Sequence, residues 1–467
     1  MENFTRRKFL QTSAASALAL SVAEQMPAQM FSDDESGARV KLTRGYLLVQ
    51  GLNTYNSSMY GAIGTMSEAE QFFSSLQAAP EGKLVNGMEY TTLWYGSGDI
   101  LAHQTVAKVA LANKVDLWAK PVTLDKVPAF GPIPPEFQAY TMKANGQIVR
   151  AQAFDQLNPE AMDWLLPKYR SIYLEPMKGL ISGFFFDEDN IAYNLPGGRP
   201  NQMYWYYGNS TYSPRVLLLW KSYCKEHNVF SDGQLVFQFP VHDLAMVPLG
   251  AGMTAYYPGW NVPTHLVPGK QFVKLPRPAG VWKHWYDFIC EQFLKNWIGR
   301  LAHLGQEVNR GESIWKGVLY FGLMIWSTPY EEIQNPQFKV DPIMVWGAWG
   351  RQRGVDLEAL AHHPDVDILV CETYPPVAAN SPEFVREWDR IARQGRKTLG
   401  VMMDRDDNWA LNMKEEVLRW DVIKKYKPTV ITRFPVQRML PGNNFYNQEV
   451  EAYIVQQLQE YRRDDGR

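Results

Sequence analysis

Three acidic runs each stand directly after an apolar stretch. Gly183-Phe184-Phe185-Phe186 leads into Asp187-Glu188-Asp189-Asn190, and Ile368-Leu369-Val370-Cys371 leads into Glu372-Thr373-Tyr374-Pro375. Val401-Met402-Met403 leads into Asp404-Arg405-Asp406-Asp407-Asn408-Trp409. Ionised carboxylates are not left beside apolar residues without partners or a task. Two carboxyl groups across a cleft can divide one reaction between them. One, kept protonated, gives its proton to a leaving oxygen; the other, ionised, attacks carbon or activates water, as cleavage of a glycosidic bond requires. An apolar floor such as Phe184–Phe186 raises the pKa of a nearby acid and suits it to the first role. Glu188 or Asp189 is the candidate general acid, and Asp404 or Glu372 the candidate nucleophile or base. A single acid in such a place is often only a helix cap or an ion-pair partner. Here three of them stand at equivalent places.

Those places are set by the elements before them. β-rich runs over 47–51, 88–95, 115–119, 183–187, 317–326, 366–371, 398–403 and 429–434 alternate with helical patterns over 102–113, 159–175, 214–227, 280–309, 382–394, 413–426 and 447–463. Eight strands, each followed by a helix or by a loop leading to one, predict an α/β chain folded as a single (β/α)8 barrel with long loops at its C-terminal face. An open nucleotide-binding sheet would carry a Gly-rich turn after its first strand, and Gly51-Leu52-Asn53-Thr54-Tyr55 has none. Barrel enzymes place their catalytic groups at the C-terminal strand ends, where the acidic runs fall. The connections 120–157 and 228–280 are too long to be idle. Ala255-Tyr256-Tyr257-Pro258-Gly259-Trp260 within the second is too apolar for disorder and reads as cleft wall.

Composition narrows the ligand. A net charge of -2 over 467 residues gives no electrostatic reason to expect nucleic acid or a membrane surface. Aromatics make up 13% of the chain, with 16 Trp, and indole faces stack well on the C–H faces of sugar rings. Trp94, Tyr256, Trp260, Trp326, Tyr374 and Trp409 are candidate sugar platforms, with Asn190 beside the first acidic run; each has packing in core or wall as its plainer role. Arg433 is a candidate for orienting a carboxylate or a substrate hydroxyl, or for pairing with Asp404. Cys224, Cys290 and Cys371 are too few and too scattered for a disulfide framework or a zinc site. His362-His363 reads as a solvated turn. Neither a metal nor another cofactor is expected.

From Gly183 to Arg438 the chain resembles family 42 glycoside hydrolases, which are β-galactosidase-like retaining enzymes on a carboxylate barrel. The likeness lies in the acid-ended fourth strand, Leu219-Trp220-Lys221-Ser222-Tyr223, the Trp-rich stretch 281–300, Cys371-Glu372-Thr373-Tyr374-Pro375, Met402-Met403-Asp404 with Asn408-Trp409, and Arg433-Phe434 with Gln437-Arg438. It implies an acid/base at the fourth strand and a nucleophile at the seventh. Two departures stand out. The family has a glutamate after asparagine where this chain has Glu188-Asp189, and a glutamate nucleophile where it has Asp404. Its zinc-binding cysteine cluster is absent. Shorter side chains widen the gap between the acids, from the roughly 5–5.5 Å of retention toward the roughly 6.5–9.5 Å of inversion. They also leave Glu188 with Glu372 open as a pair.

Thr5-Arg6-Arg7-Lys8-Phe9-Leu10 followed by Thr12-Ser13-Ala14-Ala15-Ser16-Ala17-Leu18-Ala19-Leu20 resembles a twin-arginine export signal. Its apolar part is shorter than the ~20 residues that span a bilayer, so no membrane anchor is expected. Residues 1–30 are therefore read as signal and 31–467 as one catalytic barrel, exported to the periplasm or beyond. Two other functions fit the same residues. One is a carbohydrate-binding barrel without catalysis, suggested by the altered acids; the other is an exported uronic-acid lyase or isomerase using Tyr374 as base.

Overall fold

The structure, a computed structural model, describes residues 42–53, 61–63, 65–91, 97–120, 122, 124–142, 147–177, 179–187, 212–240, 246–249, 253–256, 280–309, 320–325, 354–373, 382–404, 413–434, 436–440 and 446–464. Eight parallel strands form one sheet: β1 Tyr46–Asn53, β2 Gly87–Thr91, β3 Asp116–Ala119, β4 Gly183–Asp187, β5 Tyr320–Ile325, β6 Ile368–Thr373, β7 Thr398–Asp404 and β8 Val430–Phe434. They pair in sequence order, and β8 returns to β1 with Val430 beside Tyr46 and Arg433 beside Val49. That pairing closes the barrel. A two-residue strand, Gly61–Ala62, pairs with the end of β1.

Ten helices surround the sheet among the described residues: α1 Met66–Ala78, α2 Ser97–Ala112, α3 Pro159–Tyr169, α4 Pro214–Glu226, α5 Gly280–Phe293, α6 Gly299–Asn309, α7 Leu357–His362, α8 Pro382–Gln394, α9 Met413–Tyr426 and α10 Gln448–Arg463. Their starts follow ordinary capping chemistry. Asn158 accepts from the Glu160 and Ala161 amides and Ser213 from the Val216 amide, and proline holds the next position in both cases. The helical pattern over 280–309 is α5 and α6, joined through a π-turn at Leu294–Ile298. α1 was not anticipated, although Thr65 and Glu68 form a capping box at its start and Ala69, Phe73 and Leu76 its buried face. His362 ends α7 and is exposed, as a solvated turn would have it; His363 is half-buried, and burial lowers its pKa.

Strand alternation divides the interior into two cores. Leu47, Val49, Phe184, Leu369, Cys371, Val401, Met403 and Ile431 face the helices. Tyr46, Leu48, Trp118, Phe185, Ile368, Val370, Met402 and Val430 fill the barrel itself. At the N-terminal end of the barrel, Tyr46 Oη donates to Asp116 Oδ2 at 2.7 Å and accepts from Trp118 Nε1 at 3.0 Å. Gly87 makes room for this group, since a Cβ there would stand 2.5 Å from the Tyr46 hydroxyl.

The sixteen tryptophans suggested a ligand cleft, but Trp118, Trp220, Trp285, Trp297, Trp388 and Trp420 are fully buried in the core. Around α4 and α5, Trp285 stacks on Tyr212 at 5.5 Å and meets Trp220 edge-on at 5.2 Å. Much of the aromatic content therefore serves packing.

The two long connections carry their own structure. Residues 120–157 include short 3-10 turns and an antiparallel pair, Gln138–Met142 with Ile148–Phe154. Residues 228–280 include the pairs Phe230–Ser231 with Gln234–Leu235 and Met246–Leu249 with Met253–Tyr256. Among the described residues, no helix is long and apolar enough to cross a membrane.

Candidate active site at the C-terminal mouth of the barrel

The C-terminal ends of β4, β6 and β7 carry Asp187, Glu372 and Asp404. In the backbone alternation these positions follow Phe185, Val370 and Met402 by two residues, and those three belong to the inner core. Glu372 pairs in register with Met402, and Asp404 with Phe434. Asp404 is thus one strand across and two residues on from Glu372. With strands about 4.8 Å apart and a rise of about 3.3 Å per residue, their Cα atoms are about 8 Å apart. Asp187 pairs with Met324 on β5, the strand between β4 and β6. The fold therefore brings together the strand ends that bear the three acidic runs.

Glu188, Asp189, Asn190, Trp94, Trp260, Trp326, Tyr374 and Trp409 lie outside the described residues. Tyr256, Glu372 and Asp404 are placed by their backbone, at the ends of a hairpin strand and of β6 and β7. Arg433 is described in full. It is 1% exposed, on the helix-facing side of β8, with Nε 3.4 Å from Glu81 Oε1 and Nη1 4.0 Å from Glu416 Oε2. Glu416 also accepts from Arg419 at 2.7 Å, and Arg433 Nη1 lies 3.8 Å from the Met403 sulfur. Two acids and two guanidinium groups thus share one buried cluster between β8 and α9, behind the strand ends.

Sequence reasoning passed over a polar layer on the inner face. Gln50 and Glu89 are 1% and 2% exposed, and Thr432 is fully buried. Each sits between neighbours that belong to the helix-facing side, such as Met88 and Tyr90 about Glu89. Lys120, half-buried, follows β3, and its amide donates to the Tyr90 carbonyl at 3.4 Å. The available signal was a charged residue inside an otherwise apolar strand, Met88-Glu89-Tyr90.

Two further buried titratable groups stand behind the rim. Asp155 precedes α3, and burial pushes its pKa up to about 7 despite a 2.6 Å hydrogen bond from the Ser213 hydroxyl and another from the Leu157 amide. Its oxygens tie the long connection to the caps of α3 and α4. His103 lies between Tyr90 and Tyr173, with Nδ1 3.1 Å from the Tyr173 hydroxyl, and burial lowers its pKa to about 3. The three cysteines are buried and none is in a disulfide. Among the described residues, no group of three or more His, Cys, Asp or Glu is arranged to hold a metal ion.

Sheet order, closure and helical shell define the chain as a (β/α)8 barrel. No family model and no curated protein matches its sequence. Among solved structures it is similar to the catalytic domain of beta-amylase from Paenibacillus polymyxa, with a TM-score of 0.56 and 11% identity over 90% of this chain and 99% of that one. Looser superpositions, at TM-scores of 0.43 and 0.44 and 8% identity, are found with endo-1,4-beta-mannanase from Rhizomucor miehei and endo-beta-1,4-mannanase from Thermotoga petrophila. They cover 89% and 91% of this chain, and 94% and 78% of theirs. At these identities the likeness is one of fold.

Proposed function

We propose that the chain is a glycoside hydrolase that cleaves an oligosaccharide or polysaccharide with paired carboxylates at the C-terminal mouth of the barrel. Glu188 or Asp189 is the general acid, and Asp404 or Glu372 the nucleophile or base. The observation that carries this reading is that β4, β6 and β7 of the closed sheet carry Asp187, Glu372 and Asp404 at their C-terminal ends, two residues beyond Phe185, Val370 and Met402 of the inner core. The fold-level likeness to a beta-amylase catalytic domain makes carbohydrate the first ligand class to try. Trp94, Tyr256, Trp260, Trp326, Tyr374 and Trp409 are then the aromatic groups to test as sugar platforms. The N-terminal Arg6-Arg7 segment fits export by the twin-arginine route, so the substrate is met outside the cytoplasm.

The reading is tested by incubating purified folded protein with aryl glycosides and with plant, algal and bacterial polysaccharides, and measuring released reducing sugar. Turnover should appear with at least one of them and be abolished by Glu372→Gln or Asp404→Asn. No release from any substrate over days would overturn the proposal. Proton NMR of the first-formed anomer then decides between retention and inversion.

A further inference from the structure

β1 and β8 share no connecting segment, so only non-covalent contacts hold the seam at which the barrel closes. The seam runs from Tyr46 beside Val430 to Val49 beside Arg433. Every other ladder of the eight-strand circuit joins strands that follow one another in the chain. Parting the seam therefore stretches no connection.

Two arginines reach past β1 and land on one short segment, 81–86, ahead of β2. From β8, Arg433 Nε lies 3.4 Å from Glu81 Oε1. From the last turn of α10, Arg462 Nη2 donates to the Leu84 carbonyl at 2.7 Å and to Asn86 Oδ1. Arg462 Nε and Nη2 also donate to the Gly45 carbonyl, just ahead of β1, at 3.0 and 2.9 Å. Beside it, Tyr461 Oη donates to the Pro428 carbonyl, ahead of β8, at 2.7 Å. One helical turn thus holds the entries of β8, β1 and β2 together at the N-terminal face. The segment it grips is firm: Gly82–Leu84 is a 3-10 turn, and a Cβ at Gly82 would clash with the Leu76 carbonyl of α1. Gly45, with φ of +73°, makes room for the arginine stem, since a Cβ there would stand 3.0 Å from Arg462 Cγ. The guanidinium is half-buried, and a planar fork of donors suits it to several carbonyl-type oxygens at once.

We propose that the last turn of α10, through Arg462, is a strap that governs opening of the barrel along the β8–β1 seam. Folded proteins open locally in units with their own free energies, and this seam is such a unit. β8 is also the neighbour of β7, where Asp404 is level with Phe434. The strap at the N-terminal face therefore steadies the strand beside one of the mouth's carboxylates.

Hydrogen exchange of the full chain under native conditions, followed by mass spectrometry, tests this. Arg462→Met keeps the stem over Gly45 but removes the donors. Exchange at 46–49 and 430–433 should quicken by about tenfold to a hundredfold, as loss of hydrogen bonds from a charged donor does. Exchange across the β6–β7 ladder, at 368–373 and 398–403, should stay within about threefold of the wild type. Arg462→Lys, which keeps the charge but reaches fewer of the acceptors, should fall between the two. Equal acceleration of both ladders, as a loss of global stability alone would give, overturns the strap. So does an unchanged seam. If Arg462→Met does not fold, Arg462→Lys decides by the same comparison.

Discussion

Replacing Arg433 separates a structural role from one at the substrate. In the structure its side chain is 1% exposed, and those of Glu81 and Glu416 are fully buried. Arg433→Met keeps most of the aliphatic volume but leaves two buried carboxylates facing the single guanidinium of Arg419, which is 2% exposed. Removing one partner of a buried ion pair costs about 3–5 kcal/mol, because the remaining charge stays desolvated. Against a total stability of ~5–15 kcal/mol, that is a large fraction. Urea unfolding followed by tryptophan fluorescence and circular dichroism should show the midpoint falling with little change in slope. The double variant Arg433→Met/Glu81→Gln should recover part of the loss, with a coupling of about 1–3 kcal/mol, since it removes the carboxylate nearest Arg433 while Glu416 keeps its pair with Arg419. Activity per folded molecule should stay within a few-fold of the wild type. If Arg433→Met unfolds within ~0.5 kcal/mol of the wild type and loses substrate affinity instead, the buried-cluster reasoning is wrong, because such small changes are typical of side chains outside any packed network.

Glu372→Gln or Asp404→Asn, whichever removes the nucleophile or base, should lower kcat by about a hundredfold or more with little change in Tm, as loss of acid or base catalysis does; a thermal-shift assay beside the kinetics checks both halves. The Asp155 pKa is raised to about 7 in the fold, above its value of 3.8 in the unfolded chain. The folded state therefore holds a proton that the unfolded chain has lost, and stability falls as pH rises from about 4 to 7. Asp155→Asn should flatten that slope in denaturation curves taken across the range, and an unchanged slope would show that Asp155 is not its source. His103 acts in the opposite sense. Its pKa falls from 6.5 to about 3 on burial, so stability is lost as pH drops from about 6.5 toward 3. His103→Gln should reduce this acid sensitivity, measured as the difference in Tm between pH 7 and pH 4.

The strand pattern was legible because barrel strands are buried on both faces. Gly183-Phe184-Phe185-Phe186-Asp187 and Thr398-Leu399-Gly400-Val401-Met402-Met403 are continuous apolar runs, and both are strands in the structure, β4 and β7. The places of Glu372 and Asp404 at strand ends followed from the same signal. α1 was not legible although its capping box was in the sequence, because only Ala69, Phe73 and Leu76 of its thirteen residues form its buried face. Only the tertiary structure decided which face each residue takes. Val49 and Gln50 are neighbours in β1, yet one joins the helix-facing core and the other the inner face; Arg433 and Thr432 divide in the same way on β8. A run that is apolar at every position leaves this parity undetermined, because shifting it by one residue costs no apolar burial. Closure fixes it: once Val430 pairs with Tyr46, the register between β8 and β1 is set, and with it the side on which each neighbouring residue must lie. That constraint turned Arg433, a mouth candidate in the sequence, toward Glu81 and Glu416 behind the strand, and turned Glu89, which the sequence left unremarked, into the barrel.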